Sequence, residues 1–333
     1  YDGEGRRSKP QSRHTRPPAP QARGSTEIPL MSDRQFLNYI DGQWVAGSGT
    51  NPIADINPAD TREIIGYATD STAEDVAAAV HADRCDIYTD VDGVYTTDPR
   101  IEPKAKRLGK VSFEEMLEMA SLGAKVLQVR SVELAMVHNV RTFVRSSFEA
   151  PDAPGMDDFD NPPGTLICDE DEIVEKQNVT GIAYTRDEAQ ISLRRVQDRP
   201  GVSAAIFGPL AEAGINVDMI VQNVSGDGQF TDMTFTVPSS DMDKALRALE
   251  SVKDDVGYDA VQSDTGLAKV SVIGVGMRSH AGVAATAFKA MAGKGINIRA
   301  ITTSEIKISI LIDGPYCELA VRTLHDVYGL DKL

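Results

Sequence analysis

From residue 189 to the C-terminus the apolar positions change period again and again. Alternation predicts strands at 190–196, 217–222, 230–237 and 260–263, and helical spacing predicts helices at 202–213 and 240–252. That order is βαββαβ. The order then begins again, with a strand at 269–276, a helix at 283–292, strands at 297–303 and 307–312 and a helix at 317–328. This second unit ends one strand short. An additional strand at 179–184, ahead of the first unit, has no counterpart in the repeat. It is expected to complete the second unit's sheet and so interlock the two. Asp198 is expected to cap the helix at 202–213, Pro200 suits its start, Gly214 fits its stop, and Pro209 should kink or shorten it.

The two units are copies. Asp198-Arg199-Pro200-Gly201-Val202 and Gly214-Ile215-Asn216-Val217-Asp218 return as Ser279-His280-Ala281-Gly282-Val283 and Gly295-Ile296-Asn297-Ile298-Arg299, at a constant offset of 81 residues. Two units are too few for a solenoid, so the reading is a pseudo-symmetric pair of small ferredoxin-like domains. Chemistry follows from the turns. The Arg199–Val202 turn presents backbone amides at a helix N-terminus, a ready carboxylate site. Asp218 or Glu305 can accept hydrogen bonds from an amino group, and Gln222, Asn223 and Asn297 add polar selectivity. The plainer alternative is that Asn216 and Asn297 only finish turns and that Asp198 only caps a helix, worth about 1 kcal/mol.

Upstream the text is of three kinds. Residues 1–30 scatter arginines among Pro, Gln and Ser with no apolar patterning and read as disordered. Residues 39–45 read as strand, turn, strand around Asp41-Gly42, with further strands at 53–56 and 63–68 and a helix opened by Ser71. Ile40-Asp41-Gly42-Gln43-Trp44, Asn57-Pro58-Ala59 and Asp75-Val76-Ala77-Ala78-Ala79-Val80 resemble the N-terminus of the aldehyde dehydrogenase superfamily. The resemblance covers about residues 31–82 and implies scaffold only, without dehydrogenase chemistry. It stops inside a helix near His81-Ala82-Asp83, which reads as a truncation join.

From 83 to 148 a strand at 85–88 leads into Thr89-Asp90-Val91-Asp92-Gly93-Val94-Tyr95-Thr96-Thr97-Asp98-Pro99-Arg100, dense in turn formers, carboxylates and hydroxyls. Ser112-Phe113-Glu114-Glu115 is a capping box, Leu122-Gly123-Ala124-Lys125-Val126 closes its helix, and 140–144 is a short strand. Residues 149–177 read as a connector, rich in Pro, Asp and Gly and then acidic. Arg100 and Lys125 can neutralise phosphate charge, whereas Asp90, Asp92 and Asp98 can equally be turn-shaping residues.

The run from Tyr88 to Arg100, with Gly123-Ala124-Lys125-Val126-Leu127, resembles the last third of the amino-acid kinase domain of bacterial aspartate kinase, and the paired units resemble its tandem ACT domains. The resemblance implies an α/β kinase remnant at 83–148, the connector at 149–177, and two α+β ACT domains at 178–333. In these, residues 178–187 complete the second domain, 188–265 form the first and 266–333 the rest of the second. It implies that Thr89, Asp90, Tyr95, Thr96, Thr97, Asp98, Pro99 and Arg100 contact ATP, with Lys125 facing its phosphates. It also implies an effector set of Asp198, Arg199, Gly201, Val202, Asn216, Val217, Asp218, Gln222, Asn297, Ile298, Ser304 and Glu305, binding lysine, threonine or both, in a homodimer formed through the ACT domains. The family makes aspartyl phosphate from aspartate and ATP. Its glycine- and lysine-rich phosphate loop and its aspartate-gripping residues are not found in this text, so the ATP site is expected to be incomplete and the role regulatory. The alternative is full kinase activity, alone or alongside an intact catalytic chain.

Composition narrows this further. A formal charge of −16 disfavours nucleic-acid and anionic-membrane partners and suits a cytoplasmic protein. Three scattered cysteines suggest neither a disulfide framework nor a zinc site, and five histidines show no metal spacing, so no metal is expected. Gly274-Val275-Gly276 before a helix imitates a dinucleotide fingerprint, but Ser279 stands where its third glycine belongs.

Overall fold

The computed structural model describes strands within 35–68 and then residues 83–123, 126–149, 155, 158, 161–173, 178–226 and 228–333. The disorder expected for 1–30, the helix expected after Ser71 and the join at 81–82 all lie outside the described residues. Among the described residues, five strands precede residue 83: β1 (Gln35–Phe36), β2 (Asn38–Ile40), β3 (Gln43–Val45), β4 (Ile53–Ile56) and β5 (Ile64–Ala68). β2 and β3 pair antiparallel with Ile40 opposite Gln43, the register of a two-residue hairpin.

The next layer is a four-stranded sheet in the order β6 (Arg84–Thr89), β8 (Arg141–Ser146), β9 (Thr165–Cys168), β7 (Lys110–Ser112). Two helices cover it, α1 (Phe113–Ser121) and α2 (Val129–Val137). The expected capping box is present. Ser112 Oγ accepts from Glu115 N and the Glu115 carboxylate accepts from Ser112 N, both at 3.2 Å. Phe113, Met116 and Met119 then fall on one face of α1 and pack with Val111, Val144 and Ile167. The stretch read as a connector needs correction. Thr165–Cys168 is a fully buried strand of this sheet, paired to both β8 and β7. Four residues between a proline-glycine run and an acidic run are too short to show a period.

The C-terminal half is one six-stranded sheet, ordered β11 (Asp218–Val224), β12 (Phe230–Val237), β10 (Gly181–Gln197), β13 (Ala260–Ile273), β15 (Lys307–Asp313), β14 (Ala300–Thr303). Helices α3 (Val202–Glu212) and α4 (Met242–Ser251) serve its first half, and α5 (Val283–Gly293) and α6 (Cys317–Val327) its second. The additional strand does what the pattern requires: Gly181 to Thr185 pair with Ile273 to Lys269 of the second unit. It is not a separate strand, however. β10 runs unbroken into the first unit and β13 does the reverse, with register shifts between Thr185 and Gln190 absorbing the change. Polar residues there hid the continuity, and the bulges let one strand serve both halves of the sheet. The sheet curls so that its outer strands β11 and β14 approach each other. Met219, Leu267 and Leu311 fill the space between them.

Two local expectations fail for stated reasons. Asp198 does not cap α3; the N-cap is Gly201, at φ 89°, with no side-chain cap bond, and Asp198 N instead donates to Gln229 O. Pro209 does not shorten α3, which continues to Glu212. Only one backbone donor is lost there, and Ile206 and Leu210 are both buried, so packing holds the turn. Gly274 is a packing glycine: a Cβ there would lie 2.5 Å from Asn178 O.

Candidate functional site

The loop after β6 is folded tightly on itself. Thr89 Oγ1 donates to Asp90 Oδ1 at 3.1 Å, and Tyr95 OH donates to Asp92 Oδ1 at 2.9 Å. Asp98 accepts from Arg100 N at 2.9 Å, from the Arg100 guanidinium at 2.8 Å and from Tyr184 OH at 3.1 Å. The Arg100 hydrogen bond holds the Asp98 carboxyl below the usual carboxylate range despite partial burial. Arg100 projects into solvent after Pro99, while Thr96 and Thr97 turn inward. Thr96 Oγ1 lies 3.0 Å from His325 Nε2 and accepts from Lys106 N at 3.0 Å. The buried Thr97 hydroxyl has no partner among the described residues. Lys125 lies outside the described residues.

This loop is fastened to the C-terminal sheet. Thr96 O accepts from Ile182 N at 2.7 Å, and Arg322 Nε of α6 donates to Ile101 O at 2.7 Å. The Glu115 carboxylate, besides capping α1, accepts from Thr180 Oγ1 at 2.6 Å and Val275 N at 3.0 Å. Lys307 Nζ reaches Glu118 Oε2 at 2.7 Å. The four-stranded layer and the second repeat are therefore locked together through buried and half-buried polar groups.

Between the C-terminus of α1 and the first repeat lies a cavity of about 410 Å³, lined by 120–123, the Thr185–Glu188 bulge, 216–218, 236–238 and Lys269. Its chemistry is an ion triad, a buried Lys269–Glu188 pair reaching an exposed carboxylate: Lys269 Nζ is 2.7 Å from both Glu188 Oε1 and Asp218 Oδ2. Burial pulls the Lys269 ammonium down, but the two carboxylates outweigh it and leave the pKa raised. Burial pushes the Asp218 carboxyl up, and the Lys269 hydrogen bond and charge together with Met219 N bring it net downward. Thr236 also lines the cavity; its Oγ1 is buried and has no hydrogen-bond partner among the described residues. One ammonium shared by two carboxylates leaves an excess negative charge facing this space.

Of the other candidate residues of the first repeat, Asn216 and Val217 line this site, whereas the 199–202 turn lies at the far end of β10, beside Gln229. Asn216 is exposed and Val217 half-buried on the cavity wall. Gly201 leaves the α3 N-terminus open, with no atom within 4 Å of its missing Cβ. Val202 is buried beneath it, Arg199 donates to Asp255 O, and Gln222 is exposed on β11. In the second repeat the arrangement differs. Arg299 stands where the first copy has Asp218, and it pairs with Asp313 and Asp264 at 2.7 and 2.8 Å. Asn297, Ser304 and Glu305 are exposed, Glu305 reaching Arg278 at 3.4 Å, and Ile298 packs on the second core. Sequence reading missed Glu188, Lys269 and Thr236. A signal existed for two of them, because Glu188 and Lys269 occupy the same position at the repeat offset with opposite charge.

A model of the amino acid kinase family matches residues 49–146, and models of the ACT domain match 190–254 and 270–328. An aspartate kinase of Pseudomonas putida is 53% identical over 264 residues, covering 79% of this chain and 61% of that protein. An aspartokinase of Mycolicibacterium smegmatis is 44% identical over 312 residues, covering 92% of this chain and 71% of that protein. Among solved structures, E. coli aspartokinase III in complex with aspartate and ADP superposes with a TM-score of 0.63 at 31% identity, covering 77% of this chain and 54% of that one. The same enzyme with lysine and aspartate gives 0.59 at 30% identity, over the same shares of the two chains. The fold defines a fragment of an amino acid kinase carrying two ACT domains. The chain belongs to the aspartokinase family. It spans about 61% of the length of the first curated relatives it matches.

Proposed function

We propose that this chain acts as the regulatory part of an aspartate kinase, binding lysine, threonine or both at its ACT domains. The observation that carries this is the cavity beside Asp218, where one lysine is divided between two carboxylates, one of them exposed. An effector ammonium would complete that charge balance; the open α3 N-terminus at Gly201, at the far end of β10, is a separate candidate for a carboxylate. Binding of lysine to E. coli aspartokinase III supports the same ligand class. Calorimetry with lysine and with threonine tests the reading; no heat from either would end it.

The nucleotide reading rests on Thr89, Asp90, Tyr95 to Arg100 and Lys125, and on the ADP complex of E. coli aspartokinase III. The second reading is that the chain contributes to ATP-dependent phosphorylation of aspartate, alone or with an intact catalytic chain in the cytoplasm. Hydroxamate formation by the purified chain separates the two. Ile220 and Val224 on β11 and Ile301 on β14 are exposed apolar side chains and support an ACT-mediated dimer. Sedimentation should show that dimer, and Ile220→Asp should dissociate it. For residues 31–82 the aldehyde dehydrogenase resemblance rests on Ile40 to Trp44, Asn57 to Ala59 and Asp75 to Val80, and the β2–β3 pairing supports only the strand-turn-strand reading at 39–45. The kinase family match from residue 49 shares that segment, and the genomic sequence across residues 80–85 tests the proposed join.

A further inference from the structure

We propose that Glu102, His325 and Asp326 form a binding site for one divalent transition-metal ion, Zn²⁺ being the probe, which ties the loop after β6 to helix α6. The three side chains offer ligand atoms that all lie within 4.8 Å of one another, although Glu102 and His325 are far apart in sequence. That spacing suits a nitrogen and two oxygens converging on one small ion.

His325 supplies the independent observation. Its ring is fully buried, and Nδ1 has no hydrogen-bond partner among the described residues. Nε2 is placed by Thr96 Oγ1 at 3.0 Å. That oxygen already accepts from Lys106 N at 3.0 Å and retains a lone pair for Nε2–H. With Nε2 as the donor, Nδ1 keeps its lone pair. This is how ligating histidines are generally held: the far nitrogen bonds an outer acceptor, fixing tautomer and ring orientation.

The carboxylates fit the same role. Glu102 is only 5% exposed, and of its oxygens Oε1 accepts from Lys104 N at 3.0 Å. Arg322, one turn before Asp326 on α6, donates to the neighbouring Ile101 O at 2.7 Å and sets the helix against the loop. Asp326 faces solvent, where Lys104 Nζ lies 3.4 Å away. That pair is exposed at both ends and contributes little, so a doubly charged ion displaces it readily. One imidazole with two carboxylates suits Zn²⁺ or Mn²⁺ with water completing the shell, and suits Mg²⁺ poorly.

The test uses the full chain freed of metal by chelator and titrated with Zn²⁺ by calorimetry. One ion per chain is expected, with a higher melting temperature and, for Co²⁺ in its place, an absorption spectrum of nitrogen and oxygen ligation. Glu102→Gln and Asp326→Asn should each weaken Zn²⁺ at least about tenfold, the range seen when a ligand or its support is removed. Asp326 is exposed, so that variant reports even if changes at buried His325 disturb folding. Absence of saturable binding, binding undiminished in both carboxylate variants, or a sulfur-ligand spectrum each overturns the proposal.

Discussion

Lys269 shows at the scale of one residue why burial makes charge consequential. Its ammonium and the Glu188 carboxylate are both almost fully buried and 2.7 Å apart. Lys269→Met should therefore lower stability by about 3–5 kcal/mol in urea unfolding, because Glu188 is left buried without its partner. Adding Glu188→Gln should recover much of that loss. A double variant no more stable than the single one would show that the pair is not coupled. Asp218→Asn is expected to leave the fold intact, since Asp218 is exposed on one side, and to abolish amino-acid binding in calorimetry. The turn residues Asn216 to Asp218, which line the cavity, could be read because turns are local chemistry. Glu188, Lys269 and His325 could not, because what gives each its meaning is a group far away in sequence.

Among the elements, α1 carries two jobs on one carboxylate. Ser112→Ala should cost about 1 kcal/mol, the usual worth of an N-cap. Glu115→Ala should cost more, about 1–3 kcal/mol for donors left unmet. It strands Val275 N and Thr180 Oγ1 of the C-terminal half as well as Ser112 N. Equal losses for the two variants in chemical denaturation would mean that the junction adds nothing. β10 teaches the complementary point. Period-two patterning located both of its halves, but a polar bulge between them concealed that they are one strand. Gly274 makes a similar distinction, since Gly274→Ala must push aside backbone at 178–180 and should destabilise where Gly208, with open space at its Cβ position, tolerates the change.

For the whole molecule, the acidic charge sets the response to pH. Asp86, Asp98, Asp218 and Asp232, with a reference value of 3.8, and Glu318, at 4.5, all have folded-state pKa values lowered by arginine, lysine or backbone partners that outweigh any burial. The unfolded chain therefore takes up these protons first. Their stabilisation is complete above pH 4.5 and is lost as pH falls from there through the lower native values. At the other end, Lys269 is raised above 10.5, so its contribution holds below that value and fades as pH rises through the native one. Urea midpoints measured from pH 7 to pH 3 should fall steeply only below about pH 4.5. A flat profile would contradict the pairings.

Local periodicity and turn chemistry set the element order, the duplication and the interlocked sheet, because hydrophobic alternation and helix caps act over a few residues at a time. Tertiary structure alone decided the rest. Thr165–Cys168 joined the kinase-like sheet, and Asp98, Thr96 and Glu115 became fasteners to the C-terminal half. Glu188, Lys269 and Asp218 met around one cavity. In each case the deciding force is the desolvation of a polar group, and its partner becomes known only when the chain has brought distant segments together.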